Sequence, residues 1–109
     1  MRARRILDQE TLDEIIRRIV EVARPEKIIL FGSAARGKMG PHSDVDLLII
    51  KEGADVLELT GEIYMNLDGI GVAIDAVVVT PGDVERYRDS HAVIIKPALR
   101  EGRVIYEAA

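Results

Sequence analysis

FGSAARGKMGPHSDVDLLII, from Phe31 to Ile50, is the stretch on which the reading of this chain turns. It divides into the end of a buried strand, a tight Gly-Ser turn opening a short helix, a loop broken by Gly40 and Pro41, and a second strand. The second strand opens with two carboxylates, Asp44 and Asp46. Residues two apart on a strand point to the same face, about 6.6 Å apart along it. Two aspartates so placed can share one divalent cation or hold a pair of them. Just upstream, Gly32 and Ser33 sit where a helix N-terminus would present free backbone N–H groups to a phosphate. An ordinary turn would explain Gly32 and Ser33 alone. Joined to a carboxylate pair in one strand–helix–strand unit, they point to phosphoryl or nucleotidyl transfer.

Upstream of this unit, Lys27 to Phe31 (KIILF) reads as a short buried strand. Before it, Leu12, Ile15, Ile16, Ile19, Val20 and Ala23 recur at helical spacing on one face. Thr11 with Glu14 matches a capping box for that helix, and Asp8 competes as the N-cap. Pro25 ends it, and Arg17, Arg18 and Arg24 lie in the half where cations suit the helix dipole. The basic start, with Arg2, Arg4 and Arg5, reads as a solvated end rather than a binding arm.

Downstream, Val45 to Ile50 is apolar on both faces apart from Asp46, as a central strand of a covered sheet should be. Asp55 with Glu58 matches a second capping box, and Val56, Leu59, Ile63 and Leu67 continue as a helical stripe, with Tyr64 assigned to core packing beside it. Ala73 to Thr80 (AIDAVVVT) is the third strand, and Asp75 interrupts its apolar run. A carboxylate buried there has to be paired, protonated or bound to metal. Its partner is either an arginine or a cation. Thr80-Pro81 opens another helix, with Asp83 and Glu85 in its first turn. His91 to Arg100 is helical in character and kinked or split at Pro97. Gly102 is placed as a C-cap, and Val104 to Tyr106 as a short edge strand.

The 109 residues amount to one domain, 1–109, with 48% hydrophobic residues to build its core. A net charge of −4 gives no reason to expect a nucleic-acid surface. With Cys 0, disulfides, thiolate catalysis and cysteine-ligated zinc are excluded; this is compatible with a cytoplasmic protein. No apolar run approaches the roughly 20 residues of a membrane span, and no signal-peptide pattern opens the chain.

The string Gly32-Ser33-Ala34-Ala35-Arg36-Gly37, five residues, then Ser43-Asp44-Val45-Asp46-Leu47, resembles the signature of the DNA polymerase beta-like nucleotidyltransferase superfamily. Within it the chain is similar to the minimal nucleotidyltransferases that pair with a HEPN-domain protein in prokaryotic toxin–antitoxin modules. The resemblance implies an α/β fold (α+β in some schemes), a small mixed, twisted sheet with helices packed chiefly on one side. It also implies two-metal nucleotidyl transfer, in which Asp44, Asp46 and Asp75 hold two Mg²⁺ ions and ATP is the donor. Gly32 and Ser33, with Arg36 and Ser43 from the same motif, would then bind the nucleotide. A chain this short has no room for an acceptor-binding domain, so either it forms a homodimer or a separate protein supplies the acceptor. The leading expectation is a HEPN toxin silenced by AMP on a hydroxyl. The alternatives are a nucleotide-binding antitoxin that masks its partner without catalysis, and a small-molecule nucleotidyltransferase.

Overall fold

Two apolar faces on one small sheet set the architecture. In a computed structural model, residues 7–32, 34–35, 44–89 and 95–109 are described. Their elements run α1 (Gln9–Ala23), β1 (Lys27–Phe31), β2 (Val45–Ile50), α2 (Val56–Asn66), β3 (Ile74–Val79), α3 (Pro81–Tyr87), α4 (Ile95–Glu101) and β4 (Arg103–Glu107). The strands lie in the order β3-β2-β1-β4. β1 is antiparallel to both β2 and β4, and β2 is parallel to β3. A parallel pair needs a crossover connection, and α2 supplies it.

Alternation along the strands sorts their side chains between two clusters. Ile28, Leu30, Val45, Leu47, Ile49, Ala76 and Val78 pack with Ile15, Ile19 and Ala23 of α1 and Ile63 of α2. Ile29, Phe31, Leu48, Ile50 and Val79 pack with Ile95 and Ala98 of α4. Helices cover both faces, with the two longest, α1 and α2, on the side of the larger cluster, in keeping with helices packed chiefly on one side. The second layer is the smaller, and it is built by the segment around Pro97 that reads from sequence as kinked. Pro97 lies within α4, and residues 91–94 ahead of it lie outside the described residues.

The helix ends explain how the chain turns between layers. Asp8, rather than Thr11, caps α1, its carboxylate accepting from the Thr11 N–H at 2.7 Å. Thr11 lies inside the helix and is buried. At the other end, Arg24 takes a left-handed conformation (φ 44°) and its N–H donates to the Val20 carbonyl at 3.0 Å. Arg17 and Arg18 do not sit in the last turn; both pair with Glu14 and hold its carboxyl down at about 2. Those groups are solvated, so the pairs add little to stability. Their use is positional: Arg18 also donates to the carbonyls of Asn66 and Asp68 at the end of α2, fixing the two helices side by side. α2 starts at Asp55, which accepts from the Glu58 N–H, and α3 has a complete capping box between Thr80 and Asp83.

Gly102 joins α4 to the edge strand β4, and its role is space rather than backbone handedness. A Cβ there would collide with the Ala98 carbonyl oxygen and Ile29 and would lie 3.1 Å from the Leu30 carbonyl oxygen. Overpacking of that kind costs about 1–3 kcal/mol. Gly102→Ala is therefore expected to lower the stability of the protein by that amount in chemical denaturation. Gly53 has nothing within 4 Å of such a Cβ but a positive φ of 70°, so Gly53→Asn, compatible with that backbone, should leave stability nearly unchanged.

Candidate active site

The cross-strand register builds a row of three residues at one end of the sheet. Phe31 closes β1 opposite Asp46 of β2, and Asp46 is in turn paired with Asp75 of β3. Because β1 runs against the other two, its C-terminal end meets the N-terminal ends of β2 and β3. Asp46 and Asp75 share the face of the sheet that carries Leu48, Ile50, Val77 and Val79, which is the α4 side. Asp44 precedes β2 by one residue and is exposed; Asp46 is half-buried.

Asp75 is exposed, not buried as its apolar flanks imply. The residues on either side, Ile74 and Ala76, turn to the opposite face and pack with the larger cluster. β3 is also an edge strand, so its first residues on the α4 side lie open. The burial falls on Asp46, whose carboxyl is pushed above the ordinary carboxylate range by burial, then by Asp75, then by Asp44. Asp46 thus senses both of the other carboxylates, although among the described residues no set of three acidic, His or Cys side chains is gathered tightly enough to hold an ion. Their chemistry suits a hard divalent cation such as Mg²⁺, which takes oxygen ligands and typically only one or two carboxylates.

Gly32 follows Phe31 with φ 73°, and a Cβ on it would run into the Asp46 Oδ2. Glycine is required there twice over, by its backbone and by the carboxylate against it. The sequence assigns Gly32 to phosphate binding and carries no signal for this contact, which follows from the pairing of Phe31 with Asp46. Ala34 and Ala35 continue as a turn, and both pack against the larger cluster. Ser33, Arg36 and Ser43 lie outside the described residues. Tyr64, expected in the core, is 40% exposed. It reaches the edge of the sheet instead, where its hydroxyl accepts from the Ala76 N–H at 2.7 Å.

A mixed sheet with helices on both faces, carrying Asp46 and Asp75 side by side at the start of its parallel pair β2 and β3, defines an α/β protein with an acidic sheet end. The chain belongs to the polymerase beta nucleotidyltransferase family, whose model matches residues 13–109. Its fold is similar to that of a Sulfolobus solfataricus protein assigned as a nucleotidyltransferase, at a TM-score of 0.61 and 20% identity, covering 90% of this chain and 78% of that one. It is also similar to a toxin–antitoxin structure with AMP-PNP, at a TM-score of 0.56 and 19% identity over 94% of this chain and 75% of the other. A mutant of the toxin–antitoxin pair MntA–HpeT matches at a TM-score of 0.56 and 17% identity, with the same coverage. At these identities the likeness is one of fold. Among curated sequences, the chain is similar to UvrABC system protein A of Clostridium perfringens (29% identity over 91% of this chain) and of Borreliella burgdorferi (28% over 62%). It spans only 12% and 7% of those proteins' length. No helix among the described residues is long and apolar enough to cross a membrane.

The raised Asp46 carboxyl has a consequence for stability. Its charged form is disfavoured in the fold relative to the unfolded chain. Its favourable contribution is thus complete below the ordinary carboxylate range and is lost as pH rises through the raised folded value. In EDTA at neutral pH, Asp46→Asn is expected to melt above the wild type. The gap should close as pH falls below about 4. Thermal melts of both proteins at the two pH values check this.

Proposed function

We propose that this chain transfers AMP from ATP to a hydroxyl of a partner protein, with Mg²⁺, and that the partner is a HEPN-domain toxin which the transfer silences. The observation that carries the reading is the Phe31–Asp46–Asp75 register with Gly32 pressed against the Asp46 carboxylate. That arrangement puts acidic oxygens and a glycine turn at one end of the sheet, where the motif of the family also falls. The fold it shares with a toxin–antitoxin structure crystallised with AMP-PNP supports the nucleotide and the partner alike.

Asp44 and Asp46 would hold both metal ions, and Asp75 would join them on one. Bound there, two Mg²⁺ ions would lower the pKa of the acceptor hydroxyl and stabilise the departing pyrophosphate. The chain's own residues do the rest. Backbone N–H groups about Gly32 and Ser33, with the Ser33 hydroxyl, would take the β- and γ-phosphates, and Arg36 and Ser43 would support the same loop. The glycine at 32 leaves the Asp46 carboxylate unobstructed. The acceptor oxygen then attacks the α-phosphorus as the bond to the β-phosphate oxygen breaks, and the hydroxyl proton passes to solvent.

Intact-mass spectrometry of the chain purified with its HEPN partner, before and after ATP and Mg²⁺, tests this reading. One or more AMP masses should appear on the partner. With Asp44→Ala or Asp46→Ala none should appear, since either change removes a ligand of both ions and the loss should be near complete. A partner inhibited equally by the wild type and both variants, yet never modified, would instead establish masking without catalysis.

A further inference from the structure

Charge is unevenly divided along this chain. From Glu52 to Glu85 there are eight carboxylates and no Lys, Arg or His, which leaves 11 of the 19 carboxylates against all 15 Lys and Arg elsewhere. α2 lies inside that acidic stretch. Its inward face buries Ile63, but its outward face is not simply solvated: Leu57 is 86% exposed and Met65 80%. Leu57, Gly61, Tyr64 and Met65 fall at helical spacing on that one face, and Glu58 and Glu62 border it. Tyr64, Met65 and Asp68 line a shallow cavity of about 400 Å³ at its end.

Gly61 is a glycine that the described residues do not explain. It lies mid-helix, where glycine costs about 0.5–1 kcal/mol relative to alanine. Its φ is not positive, and a Cβ there would meet nothing within 4 Å. Nothing among the described residues needs its smallness. A glycine one turn from each of two exposed apolar side chains does let the backbone of another helix approach closely. The acidic border decides what kind of helix. Packing two copies of α2 about a two-fold axis would set Glu58 and Glu62 against their own copies, which like-charge repulsion opposes.

We infer that the Leu57–Gly61–Met65 face of α2 is the docking site for a partner helix whose apolar stripe is flanked by Lys and Arg. The helix crosses over Gly61, seats its apolar residues beside Leu57 and Met65, and meets Glu58 and Glu62 with its cations. Tyr64 ties this face to the free edge of β3 through the Ala76 N–H, one residue from Asp75. Docking on α2 thereby sets the partner beside the strand that carries the third carboxylate. This inference rests on the reading that the chain acts with a separate protein, and it names the surface that protein uses.

Binding of the co-expressed HEPN-domain protein, measured by calorimetry without nucleotide, separates the surface from the chemistry. Gly61→Ala should have opposite effects on the two states. Alone, the variant melts roughly 3–6 °C higher, from helix propensity. In the complex its affinity falls at least about tenfold, as expected when a close contact at a central position is lost. Glu58→Lys with Glu62→Lys should weaken binding as much and flatten its dependence on salt between about 0.05 and 0.5 M. Binding of ATP with Mg²⁺ to the free chain should be unchanged in all of these variants. Retention of wild-type affinity within about twofold by either Gly61→Ala or the charge reversal overturns the assignment. So does a wild-type chain that does not bind this partner, or one that self-associates through α2. Loss of AMP transfer with intact docking, or the reverse, tells failure of one reading from failure of the other.

Discussion

The constraint on which the rest depends is that β2 must put apolar residues on both faces of the sheet and a carboxylate at one end of it. Val45, Leu47 and Ile49 belong under α1 and α2, and Leu48 and Ile50 under α4. A slip of one residue would exchange those sets and drive Asp46 into the larger cluster. Burying a lone carboxylate there costs far more than the pairing could return. Core packing therefore also fixes the position of Asp46 opposite Phe31 on one side and Asp75 on the other. The candidate site needs no separate scaffold, because the register that excludes water from the core aligns its carboxylates.

This explains why the polar surroundings of the row are so sparing. Gly32 contributes no side chain, Phe31 only an apolar one, and Asp75 stands in water at the sheet edge. Asp46 bears a cost, in a carboxyl that resists ionisation because its solvent is partly removed and its neighbours are acidic. A site of this kind favours a divalent cation over a bare anion. Uncompensated triphosphate would add charge of the same sign, whereas a cation relieves the repulsion already present.

Much of this fold was legible in the chain. The three apolar runs became β1, β2 and β3, and the short run after Gly102 became β4, each near its expected bounds. Local chemistry carried those readings: alternation, caps at Asp55 and Thr80, and a proline at the start of α3. What was not legible depended on tertiary placement. Asp75 looks buried from its neighbours because a sequence does not say that β3 is an edge strand whose flanking residues turn to the opposite face. The choice between Asp8 and Thr11 was settled by which hydroxyl or carboxylate the packing left outside, not by the pattern, which both fit. For the site, the motif located Gly32, Asp44 and Asp46 but could not tell that glycine and carboxylate touch.

Gly32 and Gly61 show how differently one residue type can be spent. At position 32 the reasons lie inside the chain: a left-handed backbone and a carboxylate that occupies the space of a side chain. At position 61 both reasons are missing, and the helix is weaker for it. Two exposed apolar side chains within two turns are unremarkable singly. Set around an unneeded glycine and bordered by carboxylates, they form a surface with shape and sign. On the proposed function, a cationic partner docked at α2 would be attracted by the same field that repels free triphosphate, so one charge distribution would favour the metal ion and the partner together.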